Sequence, residues 1–201
     1  QAVVIFGGGC TGIAVSEEGL IFTNHHCGFG SIQSLSSVEH DYLKDGFVSQ
    51  TKEAELPVPG LSVKFLKKTI NVTDRIMAVI DTITDEVARI QAADSISNVL
   101  CDSVGNNATQ YAEVYPYYNN NVYYMQVYDV FNDVRLVFTP PSSVGKFGGD
   151  TDNWMWPRHT GDFSVFRIYA DKEGNPAKYS PTNVPLKPKR WLTVSTRGVE
   201  E

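Results

Sequence analysis

Little in this chain is basic. Lys and Arg together number 17 against 23 Asp and Glu, a formal balance of −6, and no basic tract interrupts it. A nucleic-acid partner is therefore not expected. No apolar run is long enough to cross a bilayer, so no membrane span is expected either. Cysteine is scarce, with three residues in 201. Two of them, Cys10 and Cys27, are pairable, which points to an oxidising compartment rather than to reduced cytosolic thiols. Internal repeats and low-complexity tracts are absent. So are an initiator methionine and a leader: the chain opens on Gln1, Ala2–Phe6 reads at once as a strand, and 194–201 stops just after a strand-like run. The expectation is a piece of a longer protein.

What is present is a globular composition. Hydrophobic residues make up 42% and charged residues 20% of the chain, too apolar for disorder. The length suits one domain with a real core, or two small lobes.

Residues 1–70 read as strands. Gly7–Val15 runs up to a turn at Ser16–Gly19, and Leu20–Thr23 runs back, with Gly19 supplying the turn chemistry. This return places Cys10 and Cys27 on neighbouring strands, where a disulfide is sterically plausible. It also sets a histidine at the end of a strand. Ser31–Leu35 and Asp41–Phe47 read as irregular, with one short helix at most. Glu55–Gly60 is a breaker-rich turn, and Leu61–Lys68 opens with the alternation of a half-buried strand.

Composition changes at residue 71. Asn71 and Thr73 suit a helix N-cap, and Asp74 suits its first turn. Ile76, Ile80, Ile83, Val87 and Ile90 then recur at helical spacing, one apolar face of a helix of about five turns that packs on a core. Ile96, Val99, Leu100 and Cys101 continue it until Gly105-Asn106-Asn107, with Cys101 a buried free thiol. The tripeptides Asn71-Val72-Thr73 and Asn107-Ala108-Thr109 match a glycosylation acceptor pattern too short to carry a reading. Tyr111–Tyr128 is β in character around a turn at Asn119–Asn121, and Asp133–Phe138 is a further strand ended by Pro140-Pro141. The reading is three segments: strands over 1–70, a helical insertion over 71–107, and the remaining strands over 108–201. The fold class is mainly β with an inserted helix.

The stretch Thr23-Asn24-His25-His26-Cys27-Gly28, with Cys10 upstream in Gly9-Cys10-Thr11-Gly12, resembles the histidine segment of chymotrypsin-like serine peptidases. In that family the residue just before the cysteine is the general base, which here is His26. The longer string from Gly7 through Gln33 resembles more specifically the bacterial dipeptidyl aminopeptidases of the dipeptidyl peptidase 7 and 11 group. The resemblance implies the first barrel, and the start of the second, of a chymotrypsin-like double β-barrel.

A second unusual stretch is Gly-rich, acidic and aromatic. It runs from Lys146 to Asp162, too irregular for a helix and suited to a binding loop. Asp162 leads directly into the strand Phe163–Tyr169. A carboxylate there, facing His26, would fix the histidine tautomer and stabilise its protonated form. Asp150 and Asp152 compete for this role without leading into a strand. The string Gly148-Gly149-Asp150-Thr151-Asp152-Asn153-Trp154-Met155-Trp156-Pro157-Arg158-His159-Thr160-Gly161-Asp162 resembles the same aminopeptidases. It implies Asp162 as the triad acid, and Asn153 and Trp154 as part of the pocket for the substrate's free N-terminus. An amide oxygen accepts from an ammonium, and an indole face attracts a cation.

Plainer readings stand beside these. His25, His40 and His159 suit structural or surface roles, and Trp154 and Trp156 suit a core. A zinc site of His25 or His26 with Cys27 and His159 lacks ligand spacing. No cofactor or metal is expected. No Gly-x-Ser-Gly-type segment occurs, and Ser31, Ser164 and Ser195 lie in ordinary contexts. In the family the serine lies far downstream, so the nucleophile and the pocket for the side chain before the scissile bond are expected outside this chain. The resemblance thus implies a fragment, inactive alone, of a periplasmic or secreted enzyme of a Gram-negative bacterium. Its partners are peptides with a free N-terminus, and a homodimer of the parent is also expected. Acidic and hydrophobic preferences remain equally open. The competing reading is a catalytically inactive peptidase-like module that binds peptides or proteins.

Overall fold

A computed structural model describes residues 2–198; the end of the chain, 199–201, whose abrupt stop the sequence suggests, lies outside the described residues. In chain order the elements are β1 (Val3–Phe6), β2 (Cys10–Ala14), β3 (Leu20–Thr23), α1 (His25–Leu35), α2 (Tyr42–Asp45), β4 (Phe47–Val48) and β5 (Leu56–Pro57). Then come β6 (Val63–Asn71), α3 (Thr73–Ile80), α4 (Glu86–Asp102), β7 (Gln110–Tyr117) and β8 (Val122–Phe131). The chain continues with β9 (Asp133–Thr139), α5 (Ser142–Gly145), α6 (Gly149–Asn153), β10 (Ser164–Ala170) and β11 (Val184–Pro185). The architecture is mainly antiparallel β with helices set between strands. It divides into two compact units, one formed by the chain up to Val63 and again from Phe131 onward, the other by Lys64–Val130.

The first unit holds the strand order β4-β9-β10-β3-β2-β1, with β5 on β9 and β11 on β10. Gly19 makes the expected turn between β2 and β3 at φ +71°, where a Cβ would come within 2.9 Å of two backbone carbonyls. β10 is buried along its whole length, with alternate faces filled differently. Phe166 and Ile168 join Phe6, Ile21 and Leu136 in the apolar core, and the Phe6 and Phe166 rings sit 4.8 Å apart. Each such side chain contributes roughly 1.5–3 kcal/mol by leaving water. The opposite face of β9 and β10 is buried and charged. Arg167 lies opposite Arg135 and Tyr169 opposite Asp133. The two arginines are kept from repelling by separate carboxylates: Asp133 grips Arg135 at 3.0 and 2.9 Å, and Glu55 takes Arg167 Nε at 2.8 Å.

The helix at the histidine segment departs from expectation. The chain does not carry His25, His26 and Cys27 at the end of a strand. β3 stops at Thr23, and these residues form the first turn of α1, which runs on through the stretch read as irregular. Cys27 therefore bonds Cys10 from a helix, with Cα atoms 6.1 Å apart, rather than across two strands.

The second unit has the strand order β6-β8-β7, and its helices cover one sheet face. Pro116 falls on β7, the outer strand of this order, where a missing N–H costs no ladder bond. The inserted helix is two helices. The chain leaves helix after Ile80 and restarts at Glu86, with Asp85 capping the restart by accepting the Ala88 N–H at 2.8 Å. The restart rotates the apolar stripe. Ile76 and Ile80 are buried, whereas Val87 and Ile90 are exposed, and α4 buries Ala93, Leu100 and Cys101 instead. Cys101 is a buried free thiol, as expected. Tyr118, Asn119 and Asn120, all left-handed, form the turn expected between β7 and β8.

Candidate active site

Two segments meet at the end of the β3–β10 pair. Thr23 on β3 faces Ser164 on β10, so the residues just after β3 lie beside those just before β10. Phe163 anchors the second segment, its ring stacked between Phe22 and Phe138. Asp162 is thereby held against the first turn of α1.

Its carboxylate is surrounded by donors. Oδ2 accepts from His26 Nδ1 at 2.8 Å, Asn153 Nδ2 at 2.9 Å and Asn24 Nδ2 at 3.0 Å, while Oδ1 accepts the backbone N–H of His26 at 3.1 Å. Burial works against ionisation of Asp162. The His26 N–H, the Asn153 amide and the His26 ring outweigh it and hold the carboxyl below the ordinary range. The side chain of Asp162 is 5% exposed, that of His26 56%. Because an ionised carboxylate only accepts, the proton shared with Asp162 sits on Nδ1. Nε2 is left as an acceptor. A buried acid that orients an exposed imidazole is an arrangement able to take up and return a proton.

His25, the preceding residue of the same helix turn, is fully buried. Its Nδ1 lies 3.1 Å from Thr139 Oγ1 and its Nε2 3.2 Å from Ser142 Oγ. Burial lowers its pKa below the ordinary value; Asp162 opposes the shift, and Lys146 and His26 add to it. Gly145 makes room for the ring, since a Cβ there would lie 2.6 Å from His25 Cγ.

The loop from Lys146 to Asp162 is more ordered than its composition suggests. Gly149–Asn153 is a single helical turn, and Gly161 N–H and Thr160 Oγ1 close the loop base on Val144 O and Phe147 O. Asn153 thus comes to lie against Asp162. Trp154 and Trp156, which a core reading would bury, are 80% and 61% exposed, with Met155 between them also exposed. Among the described residues, Asp150 and Asp152 make no bond to His26, and no three His, Cys, Asp or Glu side chains gather as a metal site. Cys27 is bonded to Cys10, and His40 and His159 are exposed. Two features escaped the sequence. Asn24 reads there only as part of a strand end, and nothing local shows that it reaches Asp162. The bond from Asn153 to Asp162 is equally invisible without the fold.

A β-rich fold that presents a buried aspartate to an exposed histidine is an arrangement that a peptidase can use. The chain belongs to the peptidase S46 family, whose profile matches residues 1–201. It is 60% identical over 198 residues to dipeptidyl-peptidase 7 of Porphyromonas gingivalis, covering 98% of this chain and 28% of that protein. It is 50% identical over 206 residues to the Asp/Glu-specific dipeptidyl-peptidase of Porphyromonas endodontalis, covering 29% of it. Crystal structures of Porphyromonas endodontalis DPP11 superpose with TM-scores of 0.88 for an alternate conformation and 0.84 for a complex with the dipeptide Arg-Glu. Identity is 50% and 49%, and 100% of this chain is covered with 30% of each neighbour. The chain therefore spans under a third of these relatives. Among the described residues no helix is long and apolar enough to cross a membrane.

Proposed function

We propose that the full-length parent of this chain is a serine dipeptidyl peptidase that releases dipeptides from the N-termini of peptides. The observation that carries this reading is the His26–Asp162 pair at 2.8 Å, with the acid buried and the imidazole side chain more than half exposed. A serine outside this chain gives its Oγ proton to His26 Nε2 and attacks the carbonyl of the second substrate residue. The imidazolium then gives the proton to the departing amine. Water, activated by the same nitrogen, releases the dipeptide from the acyl-enzyme. Asp162 stays ionised throughout and stabilises the imidazolium.

Asn153 and Trp154 receive the substrate's ammonium. The Asn153 amide nitrogen is engaged by Asp162, which leaves its oxygen to accept from the amine, and the exposed Trp154 face attracts the cation. In this reading the amine pocket stops the substrate two residues before the scissile bond, which yields dipeptides. The bound dipeptides Arg-Glu and Arg-Asp in the Porphyromonas endodontalis DPP11 structures support a product of this length. The Cys10–Cys27 disulfide supports a periplasmic or secreted setting. The parent is a homodimer in this reading, and the present chain alone is inactive.

The test is release of dipeptides from free and N-blocked dipeptidyl fluorogenic amides with acidic or hydrophobic second residues. The full-length parent, its His26→Ala variant and this chain are assayed in parallel. Turnover by the intact parent alone, on unblocked substrates alone, is the expected result and reveals the preferred side chain. A parent that binds peptides but cleaves none becomes the inactive binding module instead.

A further inference from the structure

We infer that Asn24 is a positioning residue of this site, acting through Asp162; the inference rests on the peptidase reading above. Asn24 occupies the N-cap position of α1, where asparagine ordinarily accepts a backbone N–H of the first turn. Its side chain makes no such bond. The Asn24 amide instead donates to Asp162 Oδ2 at 3.0 Å and to the Asp162 carbonyl oxygen at 3.3 Å. The vacated cap is filled from 138 residues away in sequence, as Asp162 Oδ1 accepts the His26 N–H.

Cap and acid have exchanged partners. The triad acid caps the histidine's helix, where the positive end of the helix dipole favours its charge. The nominal cap residue, two positions before His26, holds the acid in place. Asn24 also ties the two segments through its backbone: its carbonyl accepts from Cys27 and Gly28 N–H and from the Ser164 hydroxyl. With Asn153 on the other side, two neutral amides bracket Oδ2 and aim it at the imidazole.

This arrangement separates two roles that one residue type usually combines. As a cap, aspartate serves as well as asparagine. As a donor to a carboxylate, ionised aspartate cannot serve. Asn24→Asp and Asn24→Ala are compared with wild type in the full-length parent, measuring kcat and KM against pH. Both variants are expected to lose kcat by roughly a hundredfold, the scale of a misplaced catalytic group. KM should change little, and the acid limb of the profile should rise in Asn24→Asp. Wild-type kcat in Asn24→Asp would reduce Asn24 to a helix cap and overturn the inference, as would wild-type behaviour in both variants. If the wild-type parent cleaves nothing, the peptidase reading fails by itself. The His26 Nδ1 proton resonance then decides the role of Asn24: a resonance displaced in Asn24→Ala supports it, and an unchanged one overturns it.

Discussion

Asp162 holds His26 twice, through the ring at 2.8 Å and through the backbone N–H at 3.1 Å. One carboxylate therefore fixes both the rotation of the imidazole and the position of the turn that carries it. The two residues lie 136 positions apart and meet because β3 and β10 pair in one register, Thr23 opposite Ser164. A slip of one residue would turn every side chain of β10 to the other face and carry Asp162 away from the helix.

Asp162→Asn should separate these two duties. The amide oxygen can still accept the His26 N–H, so the helix cap and the fold survive. The amide nitrogen can donate to the ring, which favours the wrong tautomer and removes the charge that stabilises imidazolium. The amides of Asn24 and Asn153 lose their acceptor, so the unfolding midpoint should drop, while kcat of the folded full-length parent is expected to fall by roughly 10⁴-fold. Retention of a tenth of wild-type activity would remove Asp162 from the acid role.

The sequence displayed this pair better than the scaffold around it. His26 and Asp162 stand in long, distinctive strings, and each abuts a strand run. The start of α1 was hidden because Thr23-Asn24-His25-His26 follows Leu20–Phe22 without a breaker, while the residue that caps the helix is remote in sequence. The break between α3 and α4 was hidden because Ile83 and Val87 extend the helical spacing through a turn that Asp85 then caps. The buried charges were least legible. Asp133 and Arg135 alternate with Val134 and Leu136 just as they would on a solvated face, and the carboxylate that neutralises Arg167 lies 112 residues away.

His25 gives the fold a measurable pH dependence. It is buried and its folded pKa is depressed, so the unfolded chain binds a proton at a pH where the folded chain does not. The stability it contributes is fully present above the unfolded value of about 6.5 and is lost as pH falls from there through the lower folded value. Urea unfolding at about pH 7.5 and about pH 5.5 should show wild type losing stability over this interval. His25→Gln, whose amide can still meet Thr139 or Ser142, should start less stable and lose less. Equal losses in both proteins would assign the acid sensitivity to other groups.

Glu55 neutralises the interior of the first unit. It is 4% exposed and accepts from Arg167 Nε and the Tyr169 hydroxyl, both at 2.8 Å. Burial, reinforced by Glu55, pushes the Tyr169 hydroxyl pKa up, so the phenol stays a donor. Glu55→Ala leaves Arg167 charged without this partner and should cost about 3–5 kcal/mol of unfolding free energy. Glu55→Ala combined with Arg167→Met should recover a large part of that loss, since the unpaired charge goes with it. A single-variant loss below about 1 kcal/mol would mean that solvent reaches the guanidinium.

The Cys10–Cys27 bond is expected to matter for stability and little for chemistry. It spans 17 residues and ties β2 to the third residue of α1, adjacent to His26. Closing a loop of this size removes unfolded-state entropy worth about 3 kcal/mol. Yet the same helical turn is also held by Asp162 on the His26 N–H and by Asn24 through its carbonyl, and neither contact needs the sulfurs. The paired variant Cys10→Ser with Cys27→Ser should therefore unfold about 2–4 kcal/mol more easily in urea. At a temperature where circular dichroism shows it folded, the full-length double variant should keep kcat within a few-fold of wild type. A folded double variant that has lost its turnover would show that the disulfide, and not the carboxylate, sets the position of His26.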